Sequence, residues 1–417
     1  MRPPPRRTAF AVAAAAACFA GAALLGARRV DAVLAAIPAL LPIAWWNLSP
    51  LAQRHLLVRQ LPVLVLAASG GGIVLAANQA ALLGAPVPWL GGLRFGGYLL
   101  LWCLALRLLH MGLQAAARRV LHRVAAPIAA GLLVLALGFP NLYVALQTHR
   151  IAVAQAPLLP LAVARLAETF VCTAGDGTRL AGTLLPQPGA SRETPLVVVC
   201  HGLGANRAAF FGYALAAHRL GAHAVAFDFR AHGASSGMVC TLGRDEVHDV
   251  AAVVAWLRAQ ARFRDAPLVL AGVSMGAATA LRAASSVGAT AVFAESSYAD
   301  LAAMIDAQTA VAGPLAAVAS RAIGIAAAWQ LGVEVAAVSP RATLAALPPG
   351  VAVVLVHAGD DAIIPPREGE RLAAARPGLA LHVVAGAPHG GCLSTDAALV
   401  ESHLANVLAA AARPRGG

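Results

Sequence analysis

At 417 residues the chain is long enough for two domains, and with 59% hydrophobic and 12% charged residues and a mean hydropathy of +0.72 it is too apolar for an ordinary water-soluble enzyme. Every one of its 31 basic residues is Arg. Thirteen precede residue 151 against a single acid there, Asp31, whereas the later 18 Arg are balanced by 18 acids. The net charge of +12 therefore belongs to an apolar N-terminal third in which Arg flanks hydrophobic runs, as between membrane spans. No nucleic-acid partner is expected, because that needs a basic face carrying recognition elements.

Five apolar stretches come first in chain order, at about 8–26, 30–46, 62–84, 96–113 and 124–146, each near the roughly 17–25 residues a spanning helix needs. The first follows Arg6 and Arg7 and has the layout of a signal peptide, but Arg28 and Arg29 directly after it and further spans behind favour an uncleaved anchor. Residues 1–147 are thus expected to form a transmembrane region of about five helices. Arg54 and Arg59 in the 47–61 loop, and Arg118, Arg119 and Arg123 in the 114–123 loop, place those loops in the cytoplasm. The chain after the fifth span then emerges on the extracytoplasmic side. Arg28 and Arg29 conflict with this topology, since it places them outside.

Residues 148–167 read as a connector, and from 168 the texture changes. Short β-branched runs at 196–200, 222–227, 268–273, 289–293, 351–356 and 379–384 alternate with helical stretches at 207–220, 245–260 and 275–286. This alternation predicts a doubly wound, mostly parallel α/β sheet spanning 168–412. Residues 300–346 read as an Ala-rich helical insertion, placed like a lid. The six cysteines include no C-x-x-C pair, so neither a zinc site nor a dithiol motif is indicated. A disulfide among Cys172, Cys200, Cys240 and Cys392 would require an oxidising compartment.

The strongest chemical signal is Gly272-Val273-Ser274-Met275-Gly276, a G-x-S-x-G sequence that ends a predicted strand and opens a predicted helix. A Ser hydroxyl needs a base to take its proton and a carboxylate to orient that base. His389 is the candidate base, because it stands in a loop of small residues just past the last predicted strand. His382 and His403 fall within regular elements, and His357 precedes the acid. The acid lies in Gly359-Asp360-Asp361, where Asp361 is the choice and Asp360 the expected turn former. The oxyanion of acyl transfer needs preorganised N–H donors, expected from Met275 and from Leu203 in His201-Gly202-Leu203-Gly204. Such a mechanism requires neither metal nor cofactor.

From about 168 to 412 the chain resembles the α/β-hydrolase superfamily, and within it the serine-aminopeptidase-like and abhydrolase branch. The resemblance rests on Asp176-Gly177-Thr178 with Leu180, on His201-Gly202, and on Asp228-Phe229-Arg230-Ala231-His232-Gly233 with Ser235. It also rests on 272–276, and on 361–365 with His389. It implies that Arg230 and His232 shape the sheet rather than act chemically. Ala358 departs from the pattern, which commonly has Gly after the His of the acid-bearing loop. The expectation is a membrane-anchored serine hydrolase acting on a small-molecule or lipid-like acyl substrate. The alternatives are an acyltransferase using the same triad, or a non-enzymatic membrane protein with a degenerate hydrolase-like domain.

Overall fold

The central strands form where the sequence offers apolar residues on both sides of the chain. In β3 (Leu196–Cys200), Leu196, Val198 and Cys200 enter one hydrophobic cluster while Val197 and Val199 enter another. β5 (Leu268–Val273) divides in the same way, Leu268 and Leu270 against Val269, Ala271 and Val273. Alternate side chains on opposite faces, all apolar, are what a sheet covered by helices on both faces requires.

These strands belong to a computed structural model in which residues 138–149 and 161–413 are described. The first four predicted spans lie outside the described residues, as does the fifth up to residue 137, together with Cys18 and Cys103. The chain divides into two units, Met1–Phe139 and Pro140–Gly417, and the sheet belongs to the second.

The sheet has eight strands in the order β1-β2-β4-β3-β5-β6-β7-β8. The other members are β1 (Glu168–Thr173), β2 (Arg179–Leu185), β4 (His223–Phe227), β6 (Ala291–Glu295), β7 (Ala352–Ala358) and β8 (Leu381–Val384). From β4 to β8 all neighbours run parallel, while β1 pairs antiparallel with β2 and β2 antiparallel with β4. The predicted parallel sheet is therefore present, and the β1–β2 hairpin is an addition to it that the strand pattern does not announce. In β1 only Phe170 and Cys172 are buried, so it makes a half-exposed edge rather than a continuous apolar run.

One face of the sheet is covered by α2 (Glu246–Arg258) and α3 (Met275–Ala283), through Val250, Val253, Leu257, Ala280 and Leu281. The other is covered by α1 (Phe211–Arg219) and the C-terminal helix (Ala397–Ala411), through Phe211, Ala214, Val400 and Leu404. Between β6 and β7 the predicted insertion is helical: α4 (Leu301–Thr309), α5 (Ala316–Leu331) and α6 (Pro340–Ala346). Among the described residues, Leu301–Leu331 is the one stretch long and apolar enough to cross a membrane. It does not run straight, because Gly313 takes a positive φ of 55° and Pro314 follows it, which breaks α4 from α5. The folded-back pair forms a third cluster with Ala278, Tyr298 and Val144, the last from a helical segment over 140–148.

The four described cysteines are all free and buried, so the disulfide that an oxidising compartment would allow is not formed among them. Burial pushes the Cys172 and Cys200 thiols up, Cys172 to about 11, which fits packing residues rather than nucleophiles. Cys200 sits in the sheet core.

Candidate active site

The carboxyl ends of β3, β5, β7 and β8 converge on one edge of the sheet, where ligands bind in open α/β folds. Ser274 directly follows β5 and precedes α3. Its backbone has φ 59° and ψ −123°, a conformation costly for a non-glycine residue, and it is pinned there by its N–H donating to the Glu295 carbonyl at 2.8 Å. The turn is possible because Gly276 has no side chain: a Cβ there would collide with the carbonyl of Cys200 on the neighbouring strand. Strand and helix pack this closely only around glycine.

His389 stands in the loop after β8. Its Nε2 lies 2.9 Å from Ser274 Oγ and its Nδ1 2.6 Å from Asp361 Oδ2. Asp361 follows β7, and its other carboxylate oxygen accepts from the N–H groups of Ile363 and Ile364 at 2.9 and 2.7 Å. Burial acts to raise the Asp361 pKa. The His389 hydrogen bond and the two backbone donors outweigh it and hold the carboxyl below its ordinary value, so it is ionised at neutral pH. Asp360 is exposed in the turn and its N–H donates to the Ala387 carbonyl. Of the two adjacent carboxylates, the geometry thus brings Asp361 to His389 and leaves Asp360 outside.

Leu203 and Met275 line the same cavity as Ser274 and His389. Met275 is the first residue of α3, so its N–H has no acceptor within the helix. The preceding residue of the other loop, Gly202, abuts the nucleophile: a Cβ added there would lie 3.3 Å from that of Ser274. Leu203 and Met275, the residues from which an oxyanion would draw backbone donors, thus both line the cavity that holds Ser274.

Five other histidines, including the rejected candidates for the base, are engaged elsewhere. His357 is buried, with Nε2 2.9 Å from the Ile364 carbonyl, and burial lowers its pKa. His382 packs on His403 with ring centroids 3.9 Å apart. His201 accepts from the Phe229 N–H, and His232 from the Gly204 N–H. Arg230 forks onto Asp249 and reaches Asp176, tying the β4 loop to α2 and the β1–β2 turn. These are contacts that hold loops in shape.

One group at the site has no signal in the sequence that marks it as functional. Glu295 ends β6, fully buried, and accepts from the Tyr213 hydroxyl and, at 3.3 Å, from the Cys392 N–H. Burial raises its pKa, against the hydrogen bonds that lower it. It links α1 to the segment that follows His389, three residues beyond the base. The sequence offers only an acid at the end of an apolar run, which marks a strand end but not this partnership.

Above Ser274 and His389 opens a cavity of about 320 Å³, near the small end of the range ligand pockets occupy. Leu301, Met304 and Ile305 of α4 and Ile323 and Ala327 of α5 line it, so its surface is mostly apolar. Helices α4 and α5 thus contribute to the walls of the cavity that holds Ser274 and His389. The opposite wall is the helical segment 140–148, through Tyr143, Val144, Gln147 and Thr148.

Comparison with known proteins agrees with this architecture. The sequence model of the α/β hydrolase fold family matches residues 195–291. Among curated proteins, the uncharacterized proteins MT2364 and Rv2307c from two strains of Mycobacterium tuberculosis are each 33% identical over 106 residues, 25% of this chain. The match spans only 37% of the length of those relatives. Among solved structures, the Pyrococcus furiosus esterase Pf2001 aligns with a TM-score of 0.50 at 20% identity, over 63% of this chain and 98% of its own. The sheet order, the turn at Ser274 and these likenesses together give this chain the α/β-hydrolase fold.

Proposed function

We propose that the protein is a membrane-anchored serine hydrolase that cleaves an ester, thioester or amide of an apolar acyl group through an acyl-enzyme. The observation that carries this reading is the unbroken chain Asp361–His389–Ser274, at 2.6 and 2.9 Å, on three different strand ends. Ser274 Oγ attacks the acyl carbon as its proton passes to His389 Nε2. Negative charge develops on the carbonyl oxygen, toward which the N–H groups of Leu203 and Met275 donate. Collapse of the intermediate expels the leaving group with the proton from His389. Water, activated by the same base, then releases the carboxylic acid and restores Ser274. Asp361 stays ionised throughout and stabilises the imidazolium.

The apolar cavity supports a hydrophobic acyl group, and the Arg-flanked apolar runs before residue 138 support anchoring. In this reading the last run leaves the bilayer before Tyr143, whose side chain belongs to the cavity wall. The catalytic domain then faces the extracytoplasmic side. Alkaline phosphatase fused after residue 150 should be active; a silent fusion would place the domain in the cytoplasm and leave the chemistry untouched.

The decisive test of the chemistry is turnover of p-nitrophenyl esters together with fluorophosphonate labelling. Ser274→Ala should abolish labelling and lower kcat by a factor on the order of 10³ or more. Wild-type turnover in that variant would overturn the proposal.

A further inference from the structure

The helical segment 140–148 lies where the sequence predicts the end of a membrane span and the start of a connector, yet it is hydrogen-bonded into the second unit at both ends. At its C-terminal end the Thr148 carbonyl accepts from the Cys240 N–H at 2.8 Å, and His149 makes an antiparallel bridge with Val239. At its N-terminal end Gln330 of α5 donates to both the carbonyl and the side-chain oxygen of Asn141, at 3.0 and 2.7 Å. Midway, the Tyr143 hydroxyl donates to Gln308 at the end of α4. Val144 and Thr148 are buried, while Leu142 and Leu146 on the other side are exposed. The segment therefore presents one face to the cavity and is clamped to the lid from across it.

From this geometry we infer that residues 140–148 form the chain-length-selecting wall of the acyl pocket, and that the preferred substrate carries a straight acyl chain of medium length. The inference rests on the proposed hydrolase chemistry and goes beyond it. An acyl carbon at Ser274 must extend into the space between α4, α5 and this segment, because those elements enclose the cavity. Alternate packing on Val144 and on the methyl groups of Met304 and Ile305 favours methylenes. The Tyr143–Gln308 hydrogen bond joins the two walls at the exposed rim of the cavity, so a longer chain must break that bridge to pass between them. Acetate esters leave most of the volume unfilled; palmitate esters exceed it.

The test is a chain-length series of p-nitrophenyl acetate, octanoate and palmitate with the full chain. Wild type should prefer octanoate. Val144→Phe places a ring in the cavity and should lower the octanoate-to-acetate ratio of kcat/KM by about tenfold or more, the scale of discrimination a hydrophobic pocket achieves. Tyr143→Ala removes the bridge and should raise the palmitate-to-octanoate ratio severalfold. Val171→Ser, on the exposed edge strand β1 and away from the cavity, should leave both ratios and the rates unchanged. If Val144→Phe and Tyr143→Ala alter only Tm or scale all three esters equally, the segment is a structural brace only and the inference fails. Binding separates this from the chemistry. In the Ser274→Ala background, a dansylated medium-chain fatty acid should bind, and Val144→Phe should weaken it by a similar factor. No ester turnover in wild type, with binding still dependent on Val144, would remove the hydrolase reading and keep the pocket. Turnover with binding indifferent to Val144 would do the reverse.

Discussion

The strand-end machinery and the lid above it are built on opposite physical terms. Around Ser274 every position is over-determined. Its backbone is strained and pinned to Glu295, Gly276 touches the next strand's carbonyl, and Asp361 receives two backbone donors besides His389. From α4 through α5 the inner face is apolar and buried at Met304, Ile305 and Ile323, but Val311 and Leu315 in the link between them and Val318, Ile325 and Trp329 of α5 stand exposed. A few polar clamps, such as Gln330 to Asn141, fasten that layer. The difference teaches that this fold concentrates rigidity where an atom must sit within a fraction of an ångström. It leaves to the roof only the task of shaping an apolar space, which many sequences can do.

The same substitution made in both regions should break or sharpen that comparison most directly. Gly276→Ala forces a Cβ into the Cys200 carbonyl, and strand and helix cannot both stay in place. We expect loss of about 4 kcal/mol or more, seen as a collapsed thermal transition and absent fluorophosphonate labelling. A variant that melts and labels like wild type would show that the elbow is looser than its geometry implies.

Asp361→Asn comes next, acting on rate rather than on fold. With His389 held in the wrong tautomer, kcat should fall by on the order of 10³–10⁴, whereas Asp360→Asn should change it only slightly. Steady-state kinetics on one ester decides between them, and the reverse pattern would move the acid one residue upstream. The same variant has a stability signature. Because the folded Asp361 carboxyl is held below its ordinary pKa, it contributes stability that is present above about pH 4 and lost as pH falls through the folded value. The gap in unfolding free energy between wild type and Asp361→Asn should therefore close on acidification. A gap that widens in acid would contradict the hydrogen-bonded carboxylate.

The smallest effect has the opposite sign. Gly324 lies inside α5, and a Cβ there would meet only Val335 Cγ2 at 3.6 Å, an ordinary contact. Gly324→Ala should stabilise the protein by roughly 0.5–1 kcal/mol through helix propensity, with a small rise in Tm. Destabilisation there would mean that the lid is packed as tightly as the elbow.

Much of the frame is legible in the chain itself. Runs such as Leu196–Cys200 and Leu268–Val273 are apolar at every position, which only strands buried on both faces tolerate, and their alternation with helices fixes a parallel sheet. The Gly-x-Ser-x-Gly spacing and the order Ser274, Asp361, His389 are likewise written locally, since each residue stands in the turn that ends a strand. What the sequence leaves open is whatever depends on residues far apart. The β1–β2 hairpin is a half-exposed edge whose alternation at Phe170 and Cys172 is brief, and its pairing with β4 is a tertiary choice. Asp360 and Asp361 are chemically identical neighbours. Only the path of the loop turns one toward His389 and the other to solvent. Glu295 meets Tyr213 and Cys392 across separations of 82 and 97 residues, and Tyr143 meets Gln308 across 165. Local periodicity reports which face of an element is apolar; it carries no record of which distant side chain will fill the space against it. The sequence by itself therefore determined the parallel strands and the chain order of Ser274, Asp361 and His389. The tertiary structure placed Asp361, the carboxylate chosen from the sequence, against His389, and it alone decided what braces the histidine loop and that Tyr143, Val144, Gln147 and Thr148 line the cavity.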